Sequence, residues 1–289
     1  MTAQASVLDD RRCDLGEGPL WHPARGQLFW FDINRGQLLS RNDEGPLSWD
    51  FGGPVSAAGW LDEGHLLVAS DRALLRFSIK DGSTEPVVAL EADDPRTRSN
   101  DGRADPWGGF WIGTMGRQAE PGLGAIWRYH RGELRRMFSG ITISNAISFA
   151  PDGSHACFAD TRRRMIWRVA LTGADGWPAG DPQPFVDLGP AGLNPDGAVM
   201  DAEGTLWVAL WGDGSVTGFC PDGQRRERLA LPSPHVSCPA FGGEGFGTLY
   251  ATTACEGLGA AALEAHPQAG MTFTVATGLR GQAEHRVVL

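Results

Sequence analysis

Short apolar runs, separated by turns rich in Gly, Pro and Asp, follow one another along the whole chain, and few continue at helical spacing. The unit is plainest in PDGAVMDAEGTLWVAL, which starts at Pro195. A strand from about Gly197, a tight turn at Ala202-Glu203-Gly204 and an apolar strand over 205–210 read as a β-hairpin. Runs that align with Leu206-Trp207-Val208-Ala209 begin at Leu28, Leu66, Phe110, Ala156 and Leu249, so the unit returns every 38–50 residues. That period is one four-stranded propeller blade. Second strands follow over 36–41, 73–79, 124–130, 164–169 and 215–219. The pattern predicts an all-β chain: one domain over 1–289, a six-bladed β-propeller of four-stranded antiparallel blades. Residues 5–13 fall outside the repeats and are expected to close the ring by adding a strand to the last blade. Most of the eleven Trp are expected in the core.

In a propeller the innermost strands all start at one mouth of the central channel. Counting back from the hairpin-turn glycines places Glu17, Ser56, Asn100, Asn145 and Asp196 there, and matching Ala240 to Ala198 adds Cys238. A purely structural repeat position keeps its residue. This one stays mostly polar but changes type, as expected where six copies build one asymmetric site. Glu17, Asn145 and Asp196 offer two carboxylates and an amide carbonyl, an all-oxygen set that suits a hard divalent cation. Such a cation polarises a carbonyl and acidifies water. Structural readings compete at each position. Pro-Asp-Gly also occurs at Asp152 and Asp222, in outer turns, but Asp196 is out of phase with them. Glu17 between glycines reads also as a loop carboxylate, and Asn145 as a strand-start cap. Asn100-Asp101-Gly102 looks like a type I′ turn, which makes Asp101 structural. Cys238 reads as a small buried filler, and Ser56 carries no assignment.

Charge and cysteine usage narrow the chemistry. The net charge is −10 and Lys80 is the one lysine. The basic clusters, Arg162-Arg163-Arg164 and Arg225-Arg226, read as solvated loop or strand ends. Neither nucleic acid nor an anionic membrane is therefore expected as a partner. Five scattered cysteines without a CxxC argue against disulfides and thiolate zinc, and the seven histidines are dispersed. Any metal must be held by oxygen. The N-terminus has no basic and apolar leader pattern, and no apolar run is long enough to span a bilayer. A cytoplasmic location and a monomer are expected.

Five ordered motifs carry a resemblance over almost the full length. LGEGPLW from Leu15, RSNDGRADPWGGFWIGTM from Arg98, ISNAISFAPDG from Ile143 with FADT from Phe158, PDGAVMDAEGTLWVAL, and CPAFGGEGFGTLYATT from Cys238 resemble the signatures of the senescence marker protein/gluconolactonase/regucalcin family. The resemblance implies a six-bladed propeller with one divalent metal in its channel and hydrolysis of sugar-acid lactones. Carried over by motif, the metal ligands are Glu17, Asn145 and Asp196; for the hydrolysis this implies, Asp196 is read as the general base as well. Arg98 and Asn100 would bind the substrate. Glu120 matches a position that in some relatives reaches the substrate, and reads equally as a solvated loop carboxylate. The metal stays open among Fe(II), Zn, Mn, Ca and Mg. The substrate leans to xylonolactone or another pentonolactone, as in bacterial xylonolactonase-type relatives, and otherwise to gluconolactone. Two alternatives use the same frame: a calcium-binding regulatory propeller without lactonase activity, and an arylesterase or phosphotriesterase-like propeller.

Overall fold

Twenty-four strands form six sheets of four in the structure, a computed structural model that describes residues 4–289. All pairings within the sheets are antiparallel, and the sheets are the blades of a six-bladed propeller. The first strands of the blades are Gly16–His22, Val55–Asp62, Thr97–Ala104, Ser144–Phe149, Asn194–Met200 and Val236–Gly242. Each packs against the first strand of the next blade all the way round, so these six line the channel. Blade 6 takes Val236–Gly242, Thr248–Thr253 and Thr272–Ala276 from the C-terminal part. Its fourth strand is Ala5–Asp9, shorter than the segment expected from sequence, with Ser6 opposite Thr274. Joining the two ends of the chain in one sheet removes an open edge from the ring.

The apolar runs pack between blades. Phe29, Phe31, Leu66, Val68 and Phe77 interlock where blades 1 and 2 meet. Ile166, Val186, Leu206 and Val208 do so between blades 4 and 5. Burying one such side chain is worth about 1.5–3 kcal/mol. Trp30, Trp111 and Trp207 are fully buried, as expected of core aromatics. Asp152 and Asp222 lie in outer turns, where their carboxylates accept the N–H of Ser154 (2.9 Å) and Gln224 (3.0 Å). Asp196 instead lies within an inner strand. The longest helix, Ala260–Ala265, sits between two strands of blade 6, and no helix among the described residues is long and apolar enough to cross a membrane.

One feature has no counterpart in the repeat pattern. After the last strand, the C-terminal tail crosses the far face, where the inner strands end. Gln282 donates to the carbonyls of Met200 (3.0 Å) and Phe149 (3.3 Å). The N–H groups of Val287 and Val288 donate to Trp60 and Gly108 carbonyls, both at 2.9 Å. Between them Glu284 pairs with Arg103, which also donates to the carbonyls of Ile147 (3.2 Å) and Ala198 (3.1 Å). Arg103 and Glu284 are both buried. Side chains from blade 3 and the tail thus fill the channel at this end.

Candidate active site

Every inner strand breaks its register near its start. The shifts fall between Glu17 and Leu20, Ser99 and Gly102, Asn145 and Ser148, and Pro195 and Ala198. A β-bulge leaves residues unpaired and re-aims their side chains. Here Asn100 and Asp196 fall in the unpaired gaps, Glu17 and Asn145 are the last paired residues before theirs, opposite Phe31 and Ala159, and all four line the channel mouth. In two blades the residue after the polar side chain takes the left-handed conformation, Gly18 at φ +52 and Ala146 at φ +55. At Gly18 a β-carbon would come within 2.2 Å of the Ser56 carbonyl, so glycine is required.

The bulge also corrects one expectation. Asn100, Asp101 and Gly102 belong to the strand Thr97–Ala104, and none of them has the positive φ that a type I′ turn needs. Asp101 is buried in the channel beneath the mouth, where its carboxylate accepts the Ile147 N–H at 2.7 Å.

Hydrogen bonds fix which way the amide of Asn145 points. The Thr161 hydroxyl donates its one proton to the Pro195 carbonyl at 2.6 Å. It can therefore only accept from Asn145, whose Nδ2 lies 2.7 Å away. The carbonyl Oδ1 of Asn145 is left facing Asn100 Nδ2 (3.3 Å) and the cavity. Asn100 Nδ2 also donates to the Ser144 carbonyl at 2.9 Å, and its Oδ1 accepts Arg98 Nη1 at 2.7 Å. One network thus joins blades 3, 4 and 5.

Electrostatics mark the same place. Burial, then the nearby Asp101, pushes the Glu17 carboxyl up to about 8, although the Gly18 N–H bond and Arg98 oppose this. Burial and then repulsion from Glu17 raise Asp196 well above the usual carboxylate range. Asp101 is pushed up to about 6, chiefly by burial. Such mutual repulsion is costly unless a cation or protons neutralise it. The donor set fits a hard divalent cation: two carboxylates that repel each other, and an amide carbonyl of fixed orientation in the same cavity. Among the described residues no group of three His, Cys, Asp or Glu gathers as a metal cage, here or elsewhere, so the set at this site is two carboxylates and an amide.

These groups share one cavity of about 590 Å³ at the channel mouth. Glu17, Asn100, Asn145 and Asp196 form its buried floor, with half-buried Arg98 beside them. Glu120 is not among the lining residues; its carboxylate folds back to accept the Gln118 N–H at 3.0 Å. Ser56 lies outside as well, with its hydroxyl on Ser99 Oγ at 2.8 Å. Cys238 is buried under the floor against Gly197, and burial with the neighbouring carboxylates raises its thiol far above the usual range. That disfavours a thiolate and fits a packing role. Sequence reasoning passed over Glu256, Thr161, Arg117, Arg162 and Arg164, which also line the cavity. Thr161 stood within reach of it, ending the quoted FADT motif. The others follow strand ends whose direction the repeat count does not give.

Fold and site together define a six-bladed propeller with one acid-floored cup at a channel that is plugged from behind. Residues 15–255 match the SMP-30/Gluconolactonase/LRE-like region, and the chain belongs to that family. It is similar to an L-arabinolactonase of Azospirillum brasilense, 35% identical over 98% of this chain and 95% of the relative. It is also similar to a pentonolactonase of Haloferax volcanii, 32% identical over 85% of this chain and 83% of that one. Among solved structures, a calcium-binding protein, regucalcin, from Agrobacterium tumefaciens superposes with a TM-score of 0.97. It is 36% identical, with 100% of this chain and 99% of that one covered.

Proposed function

We propose that this protein is a divalent-cation-dependent lactonase that opens a sugar-acid lactone, in the first instance a pentonolactone, to the aldonic acid. The observation that carries this reading is the cup floor: Glu17 and Asp196 repel each other in the cavity that the Asn145 amide, held by Thr161, also lines. Glu17, Asn145 and Asp196 would hold the cation, and Fe(II), Zn, Mn, Ca and Mg all accept oxygen ligands. When bound it supplies Lewis-acid stabilisation of the developing oxyanion. The chain's own groups do the rest. Arg98 spends Nη1 on Asn100 and the Ser99 carbonyl (2.9 Å), which leaves Nε and Nη2 to orient the sugar. Asn100 braces Arg98 against Asn145 and keeps an oxygen lone pair for a substrate hydroxyl. Asp196 takes a proton from the water that attacks the acyl carbon. The C–O bond to the ring oxygen then breaks, and the same proton passes to that oxygen. Strained, activated esters need no covalent nucleophile, and the raised thiol of Cys238 offers none.

The similarity to a regucalcin described as calcium-binding favours a second reading, a propeller that binds calcium without turning over lactones. One experiment decides between them. The chelated protein is assayed against arabinono-, xylono- and gluconolactone, then again with each divalent cation added. Cation-restored hydrolysis, lost by roughly 10²–10⁴-fold in Asp196→Asn, supports the lactonase. Calcium binding without hydrolysis of any lactone supports the second reading.

A further inference from the structure

The chain as a whole is acidic, yet the mouth of its cup is basic. Four arginines line the cavity, Arg98, Arg117, Arg162 and Arg164, against the carboxylates Glu17, Asp196 and Glu256. The two signs are sorted by depth and by blade. Glu17 and Asp196 are buried at the floor, where the proposed cation would neutralise them. Arg117 follows the second strand of blade 3, and Arg162 and Arg164 belong to the turn after the second strand of blade 4. Exposed Glu256 stands across the mouth, after the second strand of blade 6. The rim therefore has a positive side and a small negative side.

Two details separate these arginines from ordinary solvated ones. Their turn is fixed: Asp160 accepts the Arg162 N–H at 3.1 Å, and the Arg164 N–H closes on the Thr161 carbonyl at 3.1 Å. Arg164 holds φ +54, a conformation that glycine takes freely and an arginine does not. Among the described residues, Arg162 and Arg164 also have no acidic partner. Arg164 donates Nε to Asn194 Oδ1 at 3.0 Å, a neutral partner, and Arg117 pairs with Asp71. Among the described residues the Arg162 guanidinium makes no hydrogen bond or ion pair. Guanidinium forks match carboxylate, phosphate and sulfonate oxygens in pairs. A neutral polyol lactone makes no use of two unpaired rim cations.

We propose that the cup prefers lactones that carry a second, ionised acid group. The lactone carbonyl lies over Glu17, Asn145 and Asp196, and the acid group lies over Arg162 and Arg164. This rests on the lactonase reading above and names its substrate class. The test compares kcat/KM, corrected for spontaneous opening, for gluconolactone, glucarolactone and phosphogluconolactone. The first is neutral; the others carry a carboxylate and a phosphate and so distinguish the two sources of charge. At least one anionic lactone should be favoured about tenfold or more, mostly through KM, and the ratio should shrink as ionic strength rises. Arg162→Ala should collapse the ratio. Arg163→Ala should not, because Arg163 stacks on Trp167 (4.9 Å) outside the cavity lining. A ratio near one with gluconolactone still hydrolysed, or equal effects of the two variants, overturns the proposal and leaves the lactonase reading standing. Loss of all turnover, on arabinono- and xylonolactone as well, would instead overturn that reading. Calorimetric titration with gluconate and phosphogluconate then judges the rim alone: tighter phosphogluconate binding that Arg162→Ala abolishes supports it, and equal affinities overturn it.

Discussion

Replacing Glu17 by Gln removes one of the two floor charges while keeping its shape and its bond from the Gly18 N–H (3.0 Å). In the cation-free protein the folded state holds a proton on Glu17 up to about pH 8, whereas its ordinary value is 4.5. A raised carboxyl means that folding binds a proton across that window. Its contribution to stability is fully present below pH 4.5 and is lost as pH rises toward 8. At about 1.4 kcal/mol per pH unit, the loss reaches roughly 4 kcal/mol by pH 7.5. For a chain of this length that is roughly 8 °C in Tm. Asp196 adds in the same direction, and Glu17→Gln also relieves it by removing its largest charged neighbour. Histidines such as His22 and His285, lowered chiefly by burial, act oppositely. They cancel in the difference between wild type and variant. The assay is thermal unfolding of the chelated proteins from pH 5 to 8, followed by addition of a divalent cation. The variant should gain on wild type as pH rises. Cation at a hundred times its Kd should raise wild-type stability by about 2.7 kcal/mol at pH 7.5. It should do less at pH 5, where protons compete, and little for the variant. A Tm difference that is flat with pH, or equal stabilisation of both proteins by the cation, would refute the reasoning.

Other outcomes follow from single contacts. Thr161→Val frees the Asn145 amide to rotate, so cation affinity should fall about 10–100-fold by calorimetry while the chelated Tm barely moves. Gly18→Ala drives a methyl group into the Ser56 carbonyl at a positive φ. Denaturant unfolding should show a loss of about 3 kcal/mol or more, or no soluble protein. Arg103→Ala strands Glu284 in the channel and should cost about 3–5 kcal/mol. The double variant Arg103→Met/Glu284→Met should recover much of this, because a matched apolar pair leaves no buried charge.

Much of the ring was legible in the sequence because each blade announces itself locally. An apolar strand, a glycine turn and a second strand recur at nearly constant spacing, and a residue's phase within that unit gives its height along the channel. This is why Glu17, Asn145 and Asp196, far apart in sequence, could be grouped before the structure brought them to one floor. Phase gives height but not backbone detail. It reads Asn100-Asp101-Gly102 as a turn, since a bulge and a turn use the same small and polar residues. It does not see that the Thr161 hydroxyl orients Asn145, because that bond depends on where the next blade puts the Pro195 carbonyl. The arginine cluster at 162–164 looked like a solvated strand end, and for Arg163 the structure agrees. Its two neighbours face the cup. The tail had no signal at all: Glu284 meets Arg103 across 181 residues, outside any repeat.

That tail governs traffic. With Arg103 and Glu284 filling the far end, the propeller is a cup with one opening and not a tube. Whatever enters must leave by the same way, so a turnover cannot overlap the arrival of one molecule with the departure of another. Ring opening adds a carboxylate to the molecule, which must then pass the same arginines on its way out. A rim tuned to draw anions in will also hold the product back, which sets a ceiling on how strongly it can attract substrate before release becomes the slow step.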